Sequence, residues 1–181
     1  SSVRDISLIK AFSRNQNRRE EFADIMSKSL QIDVVSVDSA EEAVIDTDIV
    51  VAITNVRTLD PVVFGDWVKA GAHINAAGAN SLSRRELDEQ AITRSSVIAV
   101  DDLEKARIEC ADLVVAIDSG VVSWDKIVEL SDIVSGNLSG TGDDNSFTLF
   151  ESQGIALEDI CVASYIYEKA ILMGIGETLS F

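Results

Sequence analysis

The chain has 181 residues, of which 46% are hydrophobic and 25% charged, and its net charge is −16 at pH 7. Such a composition suits a globular domain long enough to bury a sizeable core. The acidic balance argues against a nucleic-acid partner, because no basic surface dominates to displace counterions from phosphates. No apolar run approaches the roughly 20 residues of a membrane span. The polar start carries no leader pattern, so a cytoplasmic protein without a membrane partner is expected. Cys110 and Cys161 lie far apart with no CxxC pairing and are expected to be buried, reduced thiols. His73 is the only histidine, so no metal site and no Ser-His-Asp triad is expected.

Strand-like and helix-like segments alternate along the chain. Residues 6–12 read as a strand and 16–30 as a helix, with Phe22, Ile25, Met26 and Leu30 at helical spacing. Residues 32–37 read as a second strand, and Ser39 with Glu42 forms a capping box that opens a short helix. The continuous apolar run 48–54 fits a parallel strand covered on both faces. A loop with the only proline, Pro61, leads to one or two helical turns around Phe64, Trp67 and Val68. Residues 72–76 form the next strand. Ser83 to Glu86 reads as a second capping box, starting a helix that runs to Thr93. Residues 97–100 are a strand, and Asp101 or Asp102 caps a helix that ends near Cys110. The segments 112–117 and 125–130 fit either element. Residues 136–145 are a Gly, Ser, Thr, Asn and Asp loop. Residues 146–152 are a strand, and 155–172 a long apolar-faced helix ending near Gly174. This alternation implies right-handed crossovers and an α/β, Rossmann-like, doubly wound parallel sheet.

Such a sheet usually opens with a strand and a Gly-x-Gly-x-x-Gly turn, and no such turn occurs here. The first strand reads as the second of a Rossmann unit. The surfaces beside residues 6–12 and 48–54 are therefore expected to need a cover. At the end of the first strand come Ser13, Arg14 and Asn15, then Arg18, where an NAD-binding sheet would carry an acidic residue. An Arg fork suits a 2′-phosphate instead, so NADP(H) is favoured over NAD(H). Thr54 and Asn55 end the apolar strand, on the edge where ligands sit in open α/β sheets. Ala77, Gly78 and Ala79 follow the next strand; their small size would let a nicotinamide ring lie against the backbone, with the Asn80 amide facing the reacting carbon. A tight loop closed by a turn-forming Asn is the plainer alternative. Ser152 and Gly154 precede a helix start, whose backbone amides could meet a ligand.

The segments "AFSRNQNRREEFA" (11–23), "FGDWVKAGAHINAAGANSLSRRELD" (64–88) and "SFTLFESQGIALEDICVASYIYEKA" (146–170) resemble the ornithine cyclodeaminase/μ-crystallin family, in order and at fitting spacing. The resemblance implies an NAD(P)-binding Rossmann domain, here 1–181 with a core of about 1–145 and a return strand and helix over 146–181. It implies a substrate-binding and dimerisation domain that this chain lacks, a small amino or imino acid substrate, and a homo-oligomer. Family activities include cyclodeamination of ornithine, alanine dehydrogenation and ketimine reduction. The cyclodeaminases carry an Asp where this chain has Asn80, and an amide cannot act as a general base near neutral pH. A ketimine reductase-like oxidoreductase is therefore expected rather than a cyclodeaminase. The alternative is a shortened, non-catalytic binding or assembly module that takes no cofactor. Tyr165 and Lys169 have the spacing of a short-chain dehydrogenase pair but lie in the final helix, so that class is set aside.

Overall fold

Seven strands among the described residues, all paired in parallel, carry the architecture. The computed structural model describes residues 3–143, 145–177 and 179. β1 (Leu8–Ala11) pairs with β2 (Asp33–Ser36) in a two-stranded sheet. β3 (Ile49–Ala52), β4 (His73–Ala76), β5 (Ser95–Val100), β6 (Ile127–Glu129) and β7 (Phe147–Glu151) form a five-stranded sheet in the order β3-β4-β7-β5-β6. The strand nearest the C-terminus thus sits in the middle, hydrogen-bonded to β4 on one side and β5 on the other. The expected α/β parallel sheet is present. Among the described residues β1 and β3 are each an edge of their own sheet.

Helices connect the strands where the sequence carries caps. Asn15 accepts from the Arg18 amide and opens α1 (Gln16–Leu30). Ser39 accepts from the Glu42 amide and opens α2 (Ala40–Val44). The capping box at Ser83 is not used. α3 spans Glu89–Thr93 and is capped by Asp88, which accepts from the Ala91 amide. Glu86 is instead fully buried, because its carboxylate has stronger partners inside the molecule than a helix terminus offers. Asp102, rather than Asp101, caps α4 (Leu103–Glu109). The two ambiguous segments resolve into a helix, α5 (Ala111–Asp118), and a 3₁₀ turn leading into β6 and then α6 (Leu130–Val134). α7 (Ala156–Met173) ends at Gly174, whose φ of 65° is the left-handed cap that glycine adopts without strain.

On α1, Phe22, Ile25 and Leu30 are exposed, Met26 is half-buried and Ala23 is buried. One other expectation also differs. Of the two thiols, Cys110 is buried and Cys161, on α7, is exposed.

Alternation along the strands decides where the core sits. Val50, Ala52, Ile74, Ala76, Phe147, Leu149, Ile98 and Val100 point to one face, packed against Leu87, Ile92, Ala106 and Leu113 from the segments leading into and through α3, α4 and α5. The opposite face carries Ile49, Val51 and Ile53, all exposed. There the His73 ring lies between Thr148, 2.7 Å from Nδ1, and Asn75, 3.3 Å from Nε2. No residue of α7 is buried, although Leu157, Ile160, Ile166, Ile171 and Leu172 are apolar. Among the described residues no helix is long and apolar enough to cross a membrane.

The turn at Gly65 shows how tightly the covered face is closed. A Cβ there would lie 2.5 Å from the Ala91 amide nitrogen and 2.6 Å from the Gln90 carbonyl carbon. Both are backbone and cannot swing away. The Gly65 amide donates to Asp88, the residue that caps α3, at 2.9 Å, and the Gly65 carbonyl accepts from Arg94. Gly65→Ala is expected to cost about 1–3 kcal/mol through overpacking. Thermal unfolding should show a midpoint lowered by roughly 3–10 °C.

Candidate active site

Four parallel strands end level. In the ladder Ala52 lies opposite Ala76, Ala76 opposite Glu151, and Glu151 opposite Val100. The residues that follow, from Thr54, Ala77 and Ser152 onward, therefore leave the sheet side by side at its carboxyl edge. In open α/β sheets this edge is where ligands bind.

Glu86 ties two of these loops together. One carboxylate oxygen accepts from the Thr54 amide at 2.6 Å and the Thr54 hydroxyl at 2.5 Å; the other accepts from the Gly78 amide at 2.7 Å. Three donors around one carboxylate give both of its buried oxygens partners without water. The same contact explains the small residues of the β4 loop. A Cβ on Gly78 would collide with the Glu86 carboxylate and the Thr54 backbone, so the glycine serves the junction of two loops whatever lies outside it.

Behind Glu86 lie further acids. Asp112 Oδ1 accepts from the Glu86 and Leu87 amides at 2.9 and 2.8 Å, and Cys110 Sγ lies 3.6 Å from Glu151 Oε2. All four side chains are buried. Burial pushes Asp112 up to about 7, against the pull of its two amide donors. Glu151 is raised well above its ordinary value by burial first, then by Asp112 and Glu86. Burial first, then Glu151 and Asp112, raises the Cys110 thiol.

The β7 loop is held separately. Asp101 Oδ2 accepts from the Gly154 amide at 2.6 Å and the Ser152 hydroxyl at 3.0 Å. Lys105 Nζ donates to the Gly154 carbonyl at 2.6 Å and the Gln153 carbonyl at 3.3 Å. Gly154 takes a φ of 74°, which lets the chain turn into α7.

Thr54, Ala77, Gly78 and Ala79 come together at one edge with Ser152 and Gly154 beside them on the β7 side. Asn80, Asn55 and Ala77 are exposed there, and Ala79 is buried. Ser13, Arg14, Asn15 and Arg18 cluster instead at the end of β1, in the other sheet, all exposed. Asn15 is occupied as the cap of α1. Arg19, beside them, is held by Asp38 and the Ser13 carbonyl, leaving Arg14 and Arg18 without an ion pair among the described residues. Sequence reasoning missed Glu86, Asp112, Glu151 and Cys110. The signal for Glu151 was the alternation Phe147-Leu149-Glu151, which sends the acid inward with two core residues.

Parallel strands, the helices between them and loops gathered at one carboxyl edge define an α/β, Rossmann-like fold. A family model, "Ornithine cyclodeaminase/mu-crystallin family", matches residues 1–173, and the chain belongs to that family. It is 34% identical over 181 residues to a Delta(1)-pyrroline-2-carboxylate reductase of Bacillus cereus, covering 99% of this chain and 55% of that protein. It is 36% identical over 156 residues to the ketimine reductase mu-crystallin of Mus musculus, covering 86% of this chain and 46% of the relative. Among solved structures it matches the Thermococcus litoralis Delta(1)-pyrroline-2-carboxylate reductase in complex with NADH and L-proline, with a TM-score of 0.92 and 36% identity, over 98% of this chain and 55% of the other. The chain thus spans about half the length of the relatives it matches.

Two outcomes follow from the buried acids. Glu86→Gln places an amide NH₂ against a backbone donor of Thr54 or Gly78. The expected loss is about 2–3 kcal/mol, read as a lower urea midpoint at unchanged slope. Asp112 and Glu151 have folded pKa values above their unfolded ones, so the native state holds protons that the unfolded state releases. Their favourable contribution is complete below about pH 4 and is lost as pH rises through about 7 for Asp112, with Glu151 acting in the same direction. In metal-free buffer, stability should fall between about pH 5 and 8. Glu151→Gln should flatten that fall and raise the midpoint at about pH 8 by roughly 5 °C.

Proposed function

We propose that this chain is the dinucleotide-binding part of an NAD(P)-dependent oxidoreductase acting on a small imino or amino acid, ketimine reductase-like rather than cyclodeaminase. The observation that carries this reading is the carboxyl edge itself: Thr54 and Gly78 locked side by side by one buried carboxylate, with Asn80 exposed next to them. Relatives named as pyrroline-2-carboxylate and ketimine reductases support the substrate class. A bound nicotinamide would supply or accept the hydride. The Thr54, Ala77, Gly78 and Ala79 backbone would give it a flat, fixed wall, with Ser152 and Gly154 on the β7 side. Asn80 can hydrogen-bond a substrate or a water but cannot take up a proton near neutral pH, which suits imine reduction better than deamination.

NADP(H) is favoured over NAD(H) because Arg14 and Arg18, not an acid, stand at the end of β1. Arg14 would receive the 2′-phosphate. Domain limits of about 1–145 for the core and 146–181 for the return strand and helix accompany this reading. A second copy of the chain is the partner that the exposed apolar side of α7 would suit. That same exposed side also favours the alternative, a non-catalytic assembly module.

Titration of the purified chain with NADPH and NADH, followed by an assay with Delta(1)-pyrroline-2-carboxylate, separates the two readings. NADPH should bind at least tenfold more tightly than NADH, Arg14→Ala should erase that difference, and NADPH should be oxidised only when the imine is added. Association without binding of either cofactor would establish the assembly module instead.

A further inference from the structure

Glu86 is fully provided with donors, but the group behind it is not. Cys110, Asp112 and Glu151 are exposed by only 0%, 2% and 1%. Each offers a ligand atom, and these atoms lie within 4.8 Å of one another. Asp112 Oδ2 and Glu151 Oε1 have no hydrogen-bond partner among the described residues. An unpartnered buried acceptor is costly, and two adjacent carboxylates repel besides. Nothing on the cofactor edge uses these oxygens: the donors of Thr54 and Gly78 go to Glu86, and those of Ser152 and Gly154 to Asp101. The cluster has the donors of a cation site.

We propose that Cys110, Asp112 and Glu151 form a buried site for a divalent cation of the zinc class. One thiolate with two carboxylates is a borderline donor set that zinc accepts and that magnesium and calcium, with their preference for oxygen alone, do not. Tetrahedral zinc, with bonds of about 2.3 Å to sulfur and about 2.0–2.2 Å to oxygen, spaces its ligands roughly 3.5 Å apart. The three atoms need draw together by only about 1 Å to reach that spacing. Cys110 lies between α4 and α5, Asp112 in the first turn of α5, and Glu151 at the end of β7. The ion would staple the central strand to the helices that cover it. Filling the site turns the thiol into a thiolate and displaces the protons the acids hold, so uptake releases protons and strengthens as pH rises. This site stands independently of the oxidoreductase reading.

Cys161 is exposed and is the one other thiol of the chain, so the test starts from Cys161→Ser. That protein, stripped with a chelator, is titrated with Co²⁺ and then Zn²⁺. Expected are one equivalent of Co²⁺, a thiolate-to-cobalt charge-transfer absorption, its loss on zinc addition, proton release, and a higher unfolding midpoint with zinc. Because Cys110 is then the only thiol, this band in the parent decides thiolate ligation even if further variants fold poorly. Cys110→Ser on the same background should abolish the band, and Glu151→Gln should weaken zinc binding at least tenfold with an unchanged circular dichroism spectrum. No band, or zinc binding that survives both substitutions undiminished, overturns the proposal.

Discussion

The bond set around Glu86 is the constraint on which the carboxyl edge depends. β3 and β4 are already paired in the sheet, but past Ala52 and Ala76 that ladder stops supplying partners. Two loops leaving a sheet together have backbone donors pointing into the protein, and each needs an acceptor. A single buried carboxylate answers for both, joining Thr54 to Gly78. The geometry of the edge is fixed from behind, so the face turned to solvent stays free for a ligand.

This constraint propagates outward and inward. Outward, it requires a residue without a side chain at Gly78, which gives the loop its string of small residues. Inward, it brings the backbone of Glu86 and Leu87 onto Asp112, whose carboxylate accepts both amides. An acid held by two amides, beside an acid held by three donors, leaves Glu151 as the third carboxylate with almost nothing to accept. Each step is locally favourable, and three acids crowded into one buried volume are the result. Arg85 opposes part of the upward shift at Asp112.

Much of the fold was legible because it rests on local signals. The β-branched run before Thr54, the cap at Ser39 and the glycine after Met173 each specify an element through their own chemistry. Ser83 to Glu86 has the letters of a capping box, yet the helix starts at Glu89, because Glu86 finds its partners 32 residues away at Thr54 and 8 away at Gly78. No periodicity encodes a contact between two loops and a distant acid. Helical spacing likewise states which residues of α1 share a side, not whether another element arrives to cover it. The carboxyl edge was found from topology alone, since strand ends in a parallel sheet must meet.

The core is apolar but encloses three carboxylates, and long apolar stretches lie outside it. Ile49, Val51 and Ile53 on the sheet, and most of α7, are apolar and exposed, while Glu86, Asp112 and Glu151 lie in the core. The apolar surfaces border what the two-sheet arrangement leaves unpaired: β1 and β3 as edges, and a helix that leaves β7 without packing back. A parallel strand such as β3, apolar on both sides, is of the kind ordinarily covered on both faces. The acids, by contrast, sit where the chain already closes on itself, under four strand ends in register. Burial there holds the loops in place whether or not a neighbour covers the outer face, so the candidate site has its order from within this chain.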